Sequence, residues 1–221
     1  VCSSDLTYYC TAYPKSAQGE YKLVLDKGKS VRTPEHYSEM LKKNLICSFF
    51  ANQYNQALVR AGFSDKERVY VQRTSIGVDN QTLYQLDPYV KEEDIVTYTD
   101  NTVYINEGVP LMTAFAHFTY EFSGNKFLVN NLKGVQNLLI DPGLHSHDME
   151  FSEFGDLGIE GMFYFFRYHE CNDYCKKLGL QPHISQSNRK YSPLKEPTQF
   201  SLSKCIHKCA FYYCNAPAEK E

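Results

Sequence analysis

Residues 21–25 alternate along the chain and carry aromatic and β-branched side chains, which predicts a strand ending in the Asp26-Lys27-Gly28 turn. The period changes after residue 32. Thr33 can cap a helix, Pro34 suits its first position, and Glu35 favours the positive end of its dipole. Met40, Leu41, Leu45, Phe49 and Leu58 then fall near helical spacing, so one long helix is expected over 34–61, stopped by Gly62. Strands are expected over 68–73 and 81–86. Residues 88–101 are polar and acidic and end in Asp100-Asn101, an excursion between two lobes. A helix over 109–120 and a strand over 126–130 follow. Met162, Phe163, Phe165 and Phe166 then mark a helical pattern over 158–179. Residues 181–203 hold three prolines among many Ser, Gln and Asn, the composition of an extended wrapping tail. No repeat is visible. The order reads as α+β, with strands mostly early and helices mostly late. Residues 1–90 are expected to form a strand-rich lobe with one long helix, and residues 91–221 a second lobe.

A length of 221 residues suits one large domain or two small lobes around a cleft, and 43% apolar residues can fill a core. With 23 basic against 26 acidic residues the net charge is -3, which argues against a nucleic-acid partner. No run of about 18 apolar residues exists, so no membrane span is expected. The chain lacks Trp but carries 18 Tyr and 14 Phe. Tyr8, Tyr9, Tyr212 and Tyr213 lie near the termini, where they suit an interaction surface or ordinary packing.

Six cysteines, Cys2, Cys10, Cys47, Cys205, Cys209 and Cys214, form an even set weighted to the chain ends, and are expected to pair as disulfides that staple the termini. Six thiols permit 15 pairings, so connectivity stays open. The start at Val1 fits a mature chain after signal removal, and Asn80-Gln81-Thr82 is a glycosylation sequon. Together these features predict a secreted protein. The alternative is a cytosolic chain with reduced surface thiols.

Three stretches carry chemistry. In His169-Glu170-Cys171-Asn172-Asp173-Tyr174-Cys175, the two cysteines are four apart and would share one helical face; His169 can join them where the backbone bends. A structural zinc takes four ligands, so the fourth must come from elsewhere. A Cys171–Cys175 disulfide is the alternative, strained within a regular helix. Residues 151–161 place Gly155, Gly158 and Gly161 at the entry to a helix, where backbone N–H groups can meet phosphates or simply make turns. Residues 128–135 end a strand in polar groups and Gly134, with Asp141-Pro142 downstream: a catalytic cluster, or a plain hairpin.

The run Ala114-Phe115-Ala116-His117-Phe118-Thr119-Tyr120-Glu121, then Leu132-x-Gly134-Val135, Asp141-Pro142, Gly155-x-Leu157-Gly158-x-x-Gly161 and finally His169-x-Cys171-Asn172-x-x-Cys175-x-x-Leu178-Gly179-Leu180 resembles the α-kinases. These are atypical protein kinases of the elongation-factor-2 kinase, myosin heavy chain kinase and TRP-channel kinase type. Order and spacing agree over about residues 109–181; upstream, Tyr54-Asn55 and Leu86-Asp87-Pro88-Tyr89-Val90 look like the family's helix and hinge. The resemblance implies a two-lobed kinase fold with ATP between the lobes and a C-lobe stiffened by zinc. The zinc ligands it implies are His117, His169, Cys171 and Cys175.

Where the family has Asp-Leu-Gln-Gly, this chain has Asn131-Leu132-Lys133-Gly134. Asn131 loses the charge that could orient or deprotonate a hydroxyl, and Lys133 puts an ammonium where a Mg²⁺ ligand belongs. Asp141 matches the second metal-binding acid, and is expected to pair with Lys133. The nucleotide-contacting lysine falls near Val24, with Lys22 the nearest substitute, and Asp87 stands for the hinge acid. The resemblance with these departures implies a pseudokinase with a structural zinc and no use of Mg-ATP; joined to the signs of secretion above, the expectation is a secreted binding or self-assembling scaffold. The alternatives are an active secretory-pathway kinase, or a cleft reused for another ligand.

Overall fold

In the computed structural model, residues 5–12, 19–26, 32–79, 82–101 and 104–183 are described, with side chains over 32–78, 82–101 and 104–183. Strands β1 (Asp5–Ala12) and β2 (Gly19–Asp26) pair antiparallel, with Cys10 opposite Tyr21. Helix α1 (Pro34–Arg60) follows, then β3 (Tyr70–Val71), β4 (Ser75–Asp79) and β5 (Thr82–Pro88). The first sheet is antiparallel in the order β1-β2-β5-β4, and its register sets Lys22 directly opposite Asp87.

Beyond a short 3-10 turn at Glu92–Asp94 come β6 (Val96–Thr97), α2 (Pro110–Phe122), β7 (Phe127–Asn130), β8 (Lys133–Val135), β9 (Leu138–Leu139) and β10 (Gly143–Ser146). Two helices, α3 (Gly158–Tyr168) and α4 (Asp173–Lys177), complete the order. Four short strands therefore follow α2, against the expectation of strands mostly early. Strand β3 pairs in parallel with β9, in a second sheet of order β3-β9-β8-β6, so pairing crosses the expected lobe boundary at residue 90.

Helix α1 starts and stops where its termini dictate. Thr33 is extended, and its side chain accepts a hydrogen bond from the His36 amide. Gly62, at φ +80°, takes the left-handed turn beyond the last residues. Replacing Thr33 by alanine is expected to cost about 1 kcal/mol, measurable as a lower urea midpoint at unchanged m-value.

The buried stripe of α1, with Ile46, Phe50, Tyr54 and Leu58, packs into one core with Met112 and Phe115 of α2 and Phe127 and Leu128 of β7. Polar pins hold it in register. Asn55 exchanges two hydrogen bonds with the backbone of Val69 (both 2.8 Å), and the Tyr54 hydroxyl donates to the Leu111 carbonyl (3.1 Å).

The single helical pattern over 158–179 is in fact two helices. His169 is extended (ψ 124°) and ends α3; the Asn172 side chain accepts from the amides of Tyr174 and Cys175, starting α4 afresh. The same side chain donates to the Pro110 carbonyl (2.9 Å), docking α4 on the start of α2. Cys171 thus lies in the break, before the cap, and not one helical turn from Cys175.

Among the expected disulfide partners, Cys47 is a free thiol, fully buried in the middle of α1. It is therefore not a bridge. Burial, with the Asp141 carboxylate adding to it and Lys43 opposing it, pushes that thiol up to about 12, so it packs as an inert apolar group. Cys2, Cys205, Cys209, Cys214 and the Asn80 sequon lie outside the described residues, as does the tail from residue 184. Among the described residues no helix is long and apolar enough to cross a membrane.

Candidate functional site

A cavity of about 550 Å³ opens between the first sheet, the start of α1 and the β8–β9 hairpin. Asp87, Lys133 and Asp141 all line it. Lys43, on the buried stripe of α1 three residues after Met40, reaches the same floor. Its ammonium donates to Asp141 Oδ1 at 2.8 Å, with the lysine side chain only 6% exposed. The expected Lys133–Asp141 pair is thus replaced by Lys43–Asp141. Lys133 has no side-chain hydrogen bond or ion pair among the described residues. Lys43, Lys133 and Asp141 thus line one cavity, together with Arg32 and the carboxyl groups of Asp87, Glu92 and Glu153. Asp87 sits at its upper edge on β5, accepting from Thr74 Oγ1 and Gln85 Nε2, both at 2.8 Å.

Asn131 lies at the β7–β8 turn and is not among the residues lining the cavity. Its φ of +49° is left-handed, as is that of Asp141 (+42°). Asn and Asp tolerate this better than most side chains, and the surrounding bonds fix it. Thr99 Oγ1 donates to Asn130 Oδ1 (2.6 Å) and accepts from the Leu132 amide (3.0 Å), while Asn130 Nδ2 donates to the Asp100 carbonyl (2.8 Å).

Two of the three glycines are closely packed, and the third makes a turn. A side chain at Gly161 would meet the His145 ring at 2.6 Å, and one at Gly158 would meet Met149 at 2.7 Å; Gly155 sits at φ +79°. None of the three lines the cavity. Next to them Asp156, 2% exposed, accepts from the amides of Ser146 (3.0 Å) and Gly158 (2.8 Å), and from the Ser146 hydroxyl. Burial pushes this carboxyl up, but the His145 ring, Ser146 and the two amides outweigh it and hold it below its ordinary value. Its contribution is then complete above the unfolded carboxyl value of about 3.9, and is lost as pH falls through the lower folded value. Asp156→Asn is expected to cost roughly 2 kcal/mol at neutral pH and to flatten the acid limb of stability against pH, measured by urea unfolding from neutral to acid pH.

On the far side of the core, α2 and the α3–α4 break bring His117, His169, Cys171 and Cys175 together. One ligand atom from each lies within 4.8 Å of the others. His117 Nδ1 is 3.2 Å from His169 Nε2 and 3.7 Å from Cys171 Sγ, and Cys175 Sγ is 3.5 Å from His169 Nε2. Bonds of about 2.0–2.1 Å to nitrogen and about 2.3 Å to sulfur around a tetrahedral ion require edges of about 3.3 Å (N to N) and about 3.6 Å (N to S). The four residues fit such an ion. Burial first, then the charges of His117 and His183, pull His169 down to about 3, keeping its ring neutral and able to ligate. Burial pushes Cys171 up, and Cys175 up to about 12. Two thiols forced together with no cation resist ionisation; a bound cation reverses that.

The arrangement has close counterparts. The sequence profile of the alpha-kinase family matches residues 7–175. The chain belongs to the alpha-kinase family. It is 33% identical over 142 residues to eukaryotic elongation factor 2 kinase of Mus musculus, covering 62% of this chain and 19% of that protein. It is 29% identical over 175 residues to myosin heavy chain kinase B of Dictyostelium discoideum, covering 75% of this chain and 22% of that one. The chain thus spans about a fifth of the length of these curated relatives. The alpha-kinase domain of myosin heavy chain kinase A, in a crystal structure with AMP, superposes with a TM-score of 0.62 at 25% identity, over 74% of this chain and 67% of that one. The mixed α+β fold is that of an alpha-kinase domain.

Sequence reasoning missed two participants. Lys43 stands in Lys42-Lys43-Asn44, which reads as a solvated run, although its spacing from Met40 and Cys47 puts it on the buried stripe. Glu121 stands one helical turn after His117, a spacing that pairs side chains on one face.

Proposed function

We propose that this alpha-kinase domain is a catalytically degenerate, secreted scaffold, a pseudokinase that binds a partner or copies of itself and holds a structural zinc. The carrying observation is the cavity lining, where the Lys43 ammonium neutralises Asp141 at 2.8 Å and Lys133 supplies a further positive charge. Phosphoryl transfer depends almost wholly on positioning and on charge neutralisation by metal ions. Like unit charges about 4 Å apart, at an effective dielectric of about 20, repel by about 4 kcal/mol, and a divalent ion doubles the figure. Asn131, on the turn next to Lys133 and outside the cavity lining, puts an amide that cannot take a hydroxyl proton where the family has Asp.

Zinc is the ion favoured by two thiolates and two imidazoles in tetrahedral array. His117, His169, Cys171 and Cys175 would hold it. Bound there, it supplies a cross-link between α2 and the α3–α4 break, with no open position for chemistry. Secretion is supported by the end-weighted cysteines and the Asn80 sequon.

A second reading, an active secretory-pathway kinase, draws on the retained Asp141 and on relatives named as kinases. Incubation with Mg²⁺ and γ-labelled ATP separates the two. The pseudokinase reading expects no incorporation into the chain or into a generic acceptor protein. Incorporation that disappears in Asp141→Asn supports the active kinase instead.

A further inference from the structure

Glu121 Oε1 is the meeting point of three donors. It accepts from the Gln181 amide at 2.7 Å, and lies 3.2 Å from both His117 Nε2 and His183 Nε2. The His117 side chain is fully buried, that of His183 is 7% exposed, and Glu121 itself is 25% exposed. The oxygen that takes the Gln181 amide is an acceptor, so His117 Nε2, 3.2 Å from it, carries the hydrogen. That leaves the lone pair of Nδ1 facing His169 and Cys171.

We propose that Glu121 is the positioning residue of the metal centre, fixing the His117 tautomer, and that it couples metal loading to the docking of residues 181–183 on α2. The inference rests on the reading of His117, His169, Cys171 and Cys175 as a metal centre. A carboxylate on the outer nitrogen of a ligating histidine fixes the ring and raises its basicity. Here the same oxygen also anchors the chain just past α4, where His183 packs its ring against Phe166 (4.5 Å between centroids) and Tyr120 (5.0 Å). Metal binding fixes the His117 ring and thereby Glu121. By linkage, whatever metal does for the docked segment, the docked segment does for metal.

His117, Glu121 and His183 could in principle hold an ion of their own, since their ligand atoms also lie within 4.8 Å of one another. Two features favour hydrogen bonding. Oε1 already takes the Gln181 amide at 2.7 Å, and ligation through both nitrogens would demand a fully deprotonated His117 ring.

The test uses the full chain with Co²⁺ as probe and a competing chelator. The wild type is expected to bind one equivalent with tetrahedral thiolate bands. Glu121→Ala is expected to keep the band positions, because all four ligands remain, while weakening affinity about 10–100-fold. Glu121→Gln, whose amide oxygen still accepts, should fall between. Hydrogen exchange adds an independent readout: the Gln181 amide of the wild type should exchange more slowly when metal is bound. That readout needs no variant, so it decides the matter even if Glu121→Ala does not fold. Unchanged affinity in Glu121→Ala, or a Gln181 amide indifferent to metal, would overturn the proposal and leave the metal centre standing. A second equivalent that vanishes in His183→Ala would replace it with a separate ion site. A wild type that takes up no Co²⁺ would remove both the metal centre and this inference.

Discussion

Cys175→Ser, or removal of metal by a strong chelator, is expected to lower the melting temperature by roughly 10 °C or more, at the scale of about 2–4 °C per kcal/mol for a chain of this size. The four ligands join α2 to the α3–α4 break, which otherwise meet through the Asn172 hydrogen bonds and core packing. Helix α4 has five residues and cannot hold itself, and the α3–α4 break leaves its backbone to the Asn172 cap. Structural zinc in small domains contributes free energy of the order of the whole stability of a domain, about 5–15 kcal/mol. Without metal, a 0% exposed Cys175 thiol and two imidazoles face one another with no charge to justify the cluster. Loading should also release about two protons, one from each thiol, since both are held above their ordinary values in its absence. Calorimetry in buffers of different ionisation enthalpy would read that release. A melting temperature indifferent to chelator would sink the structural role.

The double substitution Asn131→Asp and Lys133→Gln is expected to create a magnesium-dependent response to nucleotide that the wild type lacks. Removing one ammonium from the cavity lining relieves repulsion of a cation, the new amide oxygen at 133 suits a hard cation, and the carboxylate at 131 restores the acid on the adjoining turn. Lys43 still pairs with Asp141 in that variant, so the gain is partial: about tenfold or more in Mg-ATP affinity, each tenfold being about 1.4 kcal/mol. Adding a substitution at Lys43 should raise it further, though at some cost in stability, because this lysine is buried and removal of its charge leaves the packed stem of α1 altered. Thermal shift with ATP, with and without Mg²⁺, reports the outcome. No gain in the double variant would mean that the floor charges are not what sets nucleotide preference.

What the sequence made legible follows the physics of each segment. Helix α1 could be bounded to a residue or two because Thr33, Pro34 and Gly62 are terminal signals with local causes. Strands β6 and β9 have two residues each, too few for any period, and β4 (Ser-Ile-Gly-Val-Asp) has too few apolar positions to stand out. The break between α3 and α4 was masked by aromatic residues that continue the helical spacing; only the Asn172 cap, competing for the same amides, reveals it. The four-ligand cluster was reachable through the resemblance, since nothing local links His117 to residues 169–175. The Lys43–Asp141 pair, 98 positions apart, was not. A lysine on a helix normally reads as solvated, and its burial is decided by tertiary packing alone.

The most direct test of the degenerate-cleft reading is a calorimetric titration of the wild-type chain with ATP, run once with saturating Mg²⁺ and once with chelator. The account predicts that magnesium never strengthens binding, so any affinity detected is equal or greater in its absence. Tight binding that requires Mg²⁺, abolished by Asp141→Asn, would contradict it.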